Sequence, residues 1–248
     1  MDIRALLFDV NGTLIDIETD EGLEEIYRAI GHFLTYQGIS LHRWEVRDLY
    51  FQIMQQQREG SSETFVEWDA VEVWREFLHN NANDYTRSLP SEKREQLPLF
   101  LAELHRGIAR KRLRLYPQVQ ETLDQLRSLY RMAVVSDAQS AYTVPELRAV
   151  GLLKYFNPII ISGDYGYRKP DSRLFQRALD ALRVRPEQAL FLGNDLYQDI
   201  FGAQQVGMKA IFVSYNQGNT SYQTISPDYT IYHFAELPQA VNYFMTLE

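Results

Sequence analysis

Apolar runs at 3–8, 132–136, 157–162, 188–193 and 209–213 punctuate the 248-residue chain, with almost no alternation into polar positions. A run that is apolar throughout is what a strand buried on both faces of a parallel sheet requires. Amphipathic stretches at about 118–130, 144–151, 171–182 and 197–206 separate the later runs. A short strand at 229–232 and a helix from about 236 to 246 complete the pattern. This alternation predicts an α/β fold, a doubly wound (Rossmann-like) parallel sheet with helices on both faces.

Between about 17 and 112 the period changes. Leu23, Ile26, Tyr27, Ile30, Phe33 and Leu34 fall at helical intervals over 21–37. The stretches 42–57 and 64–79 repeat that spacing through Trp44, Leu49 and Ile53, then Phe65, Trp68, Val71 and Trp74. A fourth helix is predicted from 97 to about 112, and no strand is expected in the whole segment. Gly60-Ser61-Ser62 and residues 80–83 read as loops. The expected division is therefore an α/β core of residues 1–16 and 113–248 carrying an all-helical insert, 17–112. Aromatic residues at helical spacing predict the core of a bundle rather than a pocket lining. The basic run Arg110-Lys111-Arg112-Leu113-Arg114 reads as a solvated helix end complementing the helix dipole. The five histidines are scattered and have no ligand spacing.

Composition narrows the function classes. A net charge of −8 gives no support for a nucleic-acid or membrane-surface partner. With no cysteine, disulfides, thiolate catalysis and cysteine-ligated zinc are excluded. Met-Asp-Ile-Arg leads straight into the first strand without a signal-peptide pattern, and no apolar run is long enough to span a bilayer. The expected location is cytoplasmic.

Candidate chemistry sits where the strands end. Residues 6–13, Leu-Leu-Phe-Asp-Val-Asn-Gly-Thr, deliver Asp9 into a Gly-Thr turn. A carboxylate at the C-terminal end of a parallel strand lies where open α/β sheets bind ligands, and it is a competent nucleophile. Gly12 permits the sharp turn, and the Thr13 hydroxyl can bond the nucleophile loop or a bound phosphate. Residues 132–137, Met-Ala-Val-Val-Ser-Asp, end in Ser136-Asp137. Residues 167–171 read Tyr-Arg-Lys-Pro-Asp, and 193–199 read Gly-Asn-Asp-Leu-Tyr-Gln-Asp. Each string alone is compatible with an ordinary turn or helix cap. Four of them in order, each following an apolar strand, are far more specific.

Together they resemble motifs I to IV of the haloacid dehalogenase-like hydrolases, over residues 1–15 and about 113–213. The resemblance implies that Asp9 is a covalent nucleophile. Ser136, with Thr13 and Asp137, would hold a phosphate, and Lys169 would neutralise charge on the nucleophile and the transferring group. Magnesium would be held by Asp9, the backbone carbonyl of Asn11 and the motif IV side chains Asn194, Asp195 and Asp199. The helical insert resembles the family's cap, which closes over the site, excludes water and favours a small-molecule substrate.

Two positions depart from the family pattern. Asn11 stands where a second aspartate normally donates and accepts the proton, help worth about 10²–10⁴-fold. Asn194 replaces the first acid of motif IV and weakens any magnesium site. Three readings follow. The favoured one is a magnesium-dependent phosphatase working through an aspartyl phosphate at Asp9. The second is a metal-free 2-haloacid dehalogenase, whose halide leaves without a proton. The third is a degenerate member that binds a phosphorylated ligand without turnover.

Overall fold

The computed structural model describes residues 1–215, 217–222 and 224–247. Strand β1 (Ala5–Phe8) is followed by β2 (Ile15–Thr19), then by helices α1 (Glu24–Tyr36), α2 (Arg43–Glu59), α3 (Ala70–Asn81), α4 (Asp84–Ser88) and α5 (Ser91–Ala109). Strand β3 (Arg110–Leu115) leads to α6 (Val119–Leu126), β4 (Arg131–Ser136), α7 (Ser140–Ala149), β5 (Ile159–Ile161), α8 (Ser172–Leu182) and β6 (Ala189–Gly193). A π-helical turn, Leu196–Phe201, runs into α9 (Gly202–Gln205); β7 (Lys209–Val213), β8 (Tyr229–Ile231) and α10 (Leu237–Thr246) follow.

Six strands form one sheet in the order β5-β4-β1-β6-β7-β8, every neighbouring pair parallel. Period-two geometry divides the apolar runs between two cores. Leu6, Phe8, Val134, Leu190 and Leu192 pack with α6 and α10 on one face, through Leu123, Val241 and Phe244. Ala5, Leu7, Ala133, Val135 and Phe191 pack on the other against Phe175, Ala178 and Leu179 of α8. Both faces are buried, which is why these strands carry no polar alternation. The chain builds outward from β1 through β4 to β5, then reverses to build β6, β7 and β8 on the other side. The ends of β1, β4 and β6 therefore meet at a topological switch point.

The helical insert has its own apolar interior, centred on Tyr27, Ile30, Trp74, Phe77 and Leu101. Trp74 is fully buried in it, as its helical spacing predicts, whereas Trp44 is only half-buried and lies beneath Arg43 and Arg47.

The structure corrects the sequence reading at both ends of the insert. The fourth long helix begins at Ser91 and stops at Ala109. The basic run is not a helix end but strand β3, paired antiparallel with β2. This ribbon straddles residues 16 and 113, the expected points of division. Its cross-strand register sets Arg114 against Asp16 and Arg112 against Glu18. Arg114 and Arg112 both reach Asp16, at 2.8 and 2.9 Å, and Arg112 reaches Glu18 at 2.6 Å. Burial opposes the charge on Asp16, but the two guanidiniums outweigh it and hold the carboxyl below its ordinary value. Opposite-charge cross-strand pairs contribute about 0.2–1 kcal/mol each, enough to favour a strand where helical dipole complementarity was expected. The helix expected over 197–206 also differs, since Leu196–Phe201 form a π turn.

His105 on α5 is 1% exposed and stacks on Tyr50, its Nδ1 lying 3.1 Å from Glu21. Burial, with the Arg106 charge next in effect, pushes its pKa down to about 4. The imidazole is neutral in the folded protein and charges readily when the chain unfolds in acid. Its contribution is therefore fully present above about pH 6.5 and is lost as pH falls toward 4, a difference of about 3 kcal/mol. Urea denaturation should show wild type losing more stability between about pH 7 and about pH 4.5 than His105→Phe does. An equal loss in the two proteins would contradict the assignment.

Candidate active site

Asp9 follows the last residue of β1 and lies between the ends of β4 and β6, its backbone N–H donating to the Leu192 carbonyl at 2.9 Å. Its side chain is buried but borders a cavity of about 190 Å³. Oδ1 accepts from Lys169 Nζ at 2.7 Å and from Ser136 Oγ at 3.2 Å. Oδ2 accepts one long bond, 3.2 Å, from Thr13 Oγ1. One oxygen is thus anchored by a cation, while the other keeps lone pairs for an electrophile. Thr13 Oγ1 also lies 3.1 Å from Asn194 Oδ1, so the end of β6 is tied to the turn that follows Asp9. Gly12 makes that approach possible. Its φ is +82°, and a Cβ there would fall 2.3 Å from Asn194 Nδ2.

Lys169 is 3% exposed and bridges two carboxylates, reaching Asp199 Oδ1 at 2.5 Å as well as Asp9. Burial alone would pull its ammonium down, but Asp199 and Asp9 outweigh it and hold the group above its ordinary value. Burial pushes the Asp199 carboxyl up, against the pull of the same ammonium. The π turn points Asp199 back into its own loop, where Oδ2 accepts from the backbone N–H groups of Asn194 and Asp195, both at 3.0 Å. Gly193 leaves room for this, since a Cβ there would lie 2.4 Å from the Asp199 side chain. A π turn inside a helix frequently marks a functional position.

Asp195 serves its helix. Oδ1 accepts from the N–H groups of Tyr197 and Gln198 at 2.8 Å, and Oδ2 from that of Asn219 at 3.2 Å. Asp137 accepts from the Lys169 backbone N–H at 2.9 Å and faces Arg168 Nε at 3.4 Å, binding the end of β4 to the loop that carries the lysine. Burial pushes its carboxyl up, opposed by Lys169 and Arg168. Asn11 borders the same cavity, and its Oδ1 is buried with no hydrogen-bond partner among the described residues.

All the residues expected from sequence thus converge on one cavity or on the loops that shape it. Several contributors carry no sequence signal of their own. Gln139, buried just after β4, accepts from Ala70 N–H at 2.9 Å and donates to the Trp68 carbonyl at 2.6 Å, fixing the start of α3 to the core. Residues 65–67 pair with 166–168 through the Arg168 N–H to Phe65 carbonyl bond, 2.8 Å, and the Glu67 N–H to Gly166 carbonyl bond, 3.0 Å. The insert is thereby attached directly to the lysine loop.

Among the described residues no three acidic or histidine side chains converge as a metal cage. The oxygens left for a cation are Asp9 Oδ2 and Asn194 Oδ1, which flank Thr13 Oγ1, and the orphaned Asn11 Oδ1. One full charge and two amide oxygens fit a hard ion that keeps its water and takes its remaining ligands from a substrate phosphate.

The family profile of the haloacid dehalogenase-like hydrolases matches residues 3–207, and the chain belongs to that family of hydrolases. It is 28% identical over 243 residues to a phosphoglycolate phosphatase of Yersinia pseudotuberculosis, covering 96% of this chain and 93% of the relative. It is 29% identical over 154 residues to a glyceraldehyde 3-phosphate phosphatase of Methanothermobacter thermautotrophicus, 59% of this chain and 68% of that one. A 2-haloacid dehalogenase from Pseudomonas syringae pv. Tomato shares the fold, with a TM-score of 0.69 at 22% identity over 98% of this chain and 99% of that one. The α/β architecture expected from sequence is shared with that structure. No helix among the described residues is long and apolar enough to cross a membrane.

Removing one member of a buried ion cluster leaves a charge without compensation, at a cost of about 3–5 kcal/mol. Lys169→Met should destabilise the protein by that order, and Lys169→Met/Asp199→Asn should recover a large part of the loss. Urea denaturation of the single and double variants reads the coupling. Strictly additive effects would mean that Lys169 and Asp199 do not compensate one another.

Proposed function

We propose that this hydrolase cleaves a small phosphate ester through an aspartyl phosphate at Asp9. The observation that carries the reading is the unequal treatment of the two Asp9 oxygens beside a cavity. Oδ1 is clamped by Lys169 and Ser136, and Oδ2 is held by one long bond from Thr13. Two relatives named as phosphatases support the reading, one of them along nearly the whole chain.

In the first step Asp9 Oδ2 attacks phosphorus and the bond from phosphorus to the ester oxygen breaks, the electron pair leaving with that oxygen. Lys169 orients Asp9 through Oδ1 and offsets charge gathering on the phosphoryl group, while the Ser136 and Thr13 hydroxyls hold its oxygens. Water then attacks phosphorus, releasing phosphate and restoring the Asp9 carboxylate. Asn11 can orient a water or an ester oxygen but cannot hand over a proton, so leaving groups that depart as stable anions are favoured. Asp9, Asn11 and Asn194 would hold a magnesium ion, which when bound supplies positive charge to the phosphoryl oxygens. Asp199 stays with Lys169, and Asp195 with its helix. The helical insert, joined to the lysine loop through residues 65–67, acts as the cap that keeps bulk water from the reacting centre.

A metal-free 2-haloacid dehalogenase is the second reading. It is favoured by one observation, that Asp195 and Asp199 already spend their oxygens on backbone N–H groups and Lys169.

Turnover of aryl, acyl and alkyl phosphates and of 2-haloacids, each with magnesium and with excess EDTA, separates the two. The phosphatase reading expects aryl and acyl phosphates to outrun alkyl ones, with activity lost in EDTA. Haloacid turnover that survives EDTA, with no phosphate released from any ester, would overturn it. Restoring the carboxylate with Asn11→Asp should raise alkyl-phosphate hydrolysis by up to about 10²-fold and leave halide release unchanged. An unchanged alkyl-phosphate rate would show that protonation is not what Asn11 has cost the enzyme.

A further inference from the structure

A second cavity, of about 230 Å³, opens beside the first, and Asn11, Asp137 and Arg168 border both. A phosphate ester whose phosphoryl group sat at Asp9 would have this space beside it for its other end. The far wall comes from the insert, where Phe51 and Met54 of α2 and Trp68 before α3 are half-buried.

The charges around the cavity are unbalanced. Its ionisable lining comprises three carboxyl groups, Glu21, Glu67 and Asp137, and two guanidiniums, Arg106 and Arg168. Both guanidiniums already have partners. Arg106 binds the buried Glu146 through Nε at 2.7 Å and Nη2 at 3.3 Å, and its cation lies over the Tyr142 ring. Arg168 faces Asp137 at 3.4 Å, on the side shared with the phosphoryl cavity. Glu21 and Glu67 are left in excess. Glu67, 9% exposed, accepts only from neutral donors, Ser162 Oγ at 2.9 Å and the Trp68 N–H at 3.2 Å. Glu21 lies 3.5 Å from the already committed Arg106 and 3.1 Å from the neutral His105. Burial pushes both carboxyls up, against the opposing pull of Arg106 on Glu21 and of Arg168 on Glu67.

We propose that this cavity selects the leaving group by positive charge, so that the substrate is a small phosphomonoester bearing an ammonium group, seated against Phe51 and Trp68 and neutralised by Glu67 and Glu21. The inference rests on the phosphoester reading for its phosphoryl end and on this cavity for its other end. A cation gains from both carboxylates and from the aromatic faces. A carboxylate such as that of phosphoglycolate would meet two further acids, Glu21 and Glu67, and no guanidinium free of a carboxylate among the lining residues. The cavity thus argues against taking the substrate from the name of the relative that matches most of the chain.

Three small phosphomonoesters test this: O-phosphoethanolamine, ethyl phosphate and phosphoglycolate, titrated calorimetrically into the Asp9→Asn protein, which cannot form the intermediate. Phosphoethanolamine should bind roughly tenfold more tightly than ethyl phosphate, and phosphoglycolate more weakly than either. Glu67→Gln in that background should bring the amine preference close to parity. Glu21→Gln should shrink it in the same direction and serves if the first variant does not fold. Phosphoglycolate or ethyl phosphate binding as tightly as the amine overturns the inference, and so does failure of all three to bind. Hydrolysis of an aryl phosphate by wild type is read separately. Its absence together with a retained amine preference would defeat the phosphatase reading and leave the charge selection standing.

Discussion

The site depends on one buried ammonium shared by two carboxylates. Lys169 carries a charge in a place that penalises charge, and it is held there because Asp9 and Asp199 both need it. Each carboxylate comes from a different part of the sheet, Asp9 from the end of β1 and Asp199 from the turn beyond β6. Asp137, at the end of β4, grips the backbone of the lysine itself. The ammonium therefore fixes the relative positions of three loops at the switch point, and the Asp9 side chain is oriented as a consequence. The rest of the fold supplies rigidity. Two apolar cores hold the strand ends in register, and Gly12 and Gly193 leave the space that Asn194 and Asp199 fill.

Most of the scaffold was legible because burial on both sheet faces imposes a simple pattern. Strands expected at 132–136, 188–193 and 209–213 lie within one residue of β4, β6 and β7. The ribbon of β2 and β3 was not legible. Arg110 to Arg114 has the look of a helix end, and its strand character comes from acids some ninety residues away, with Lys111 on Asp20 and Arg112 on Glu18. A reading by local period cannot see that pairing. The insert helices were recognisable from spacing, but α5 starts at Ser91, earlier than its apolar residues suggest, because its first turn is solvated and polar.

The candidate site shows the same division. Asp9, Ser136, Lys169 and Asn194 follow strands or a Lys-Pro signature, and they meet. What sequence could not rank was the use of each acid, because that depends on backbone geometry. The π turn sends Asp199 toward Lys169 while Asp195, four residues earlier, caps the helix. Glu67 and Gln139 had no signal at all. They matter because residues 65–67 lie against 166–168 in the folded chain. Through that contact the insert borders the Asp9 site, and on the proposed reading the acids and aromatic rings beyond Asn11 would surround the substrate.

Covalent participation of Asp9 is the claim on which the rest stands, and trapping the adduct tests it most directly. Wild-type protein quenched during turnover of an aryl phosphate and reduced with borohydride should yield homoserine at position 9 when its N-terminal peptide is sequenced by mass spectrometry. Protein quenched without substrate should keep aspartate there. An intact Asp9 in enzyme that is releasing phosphate would contradict the account.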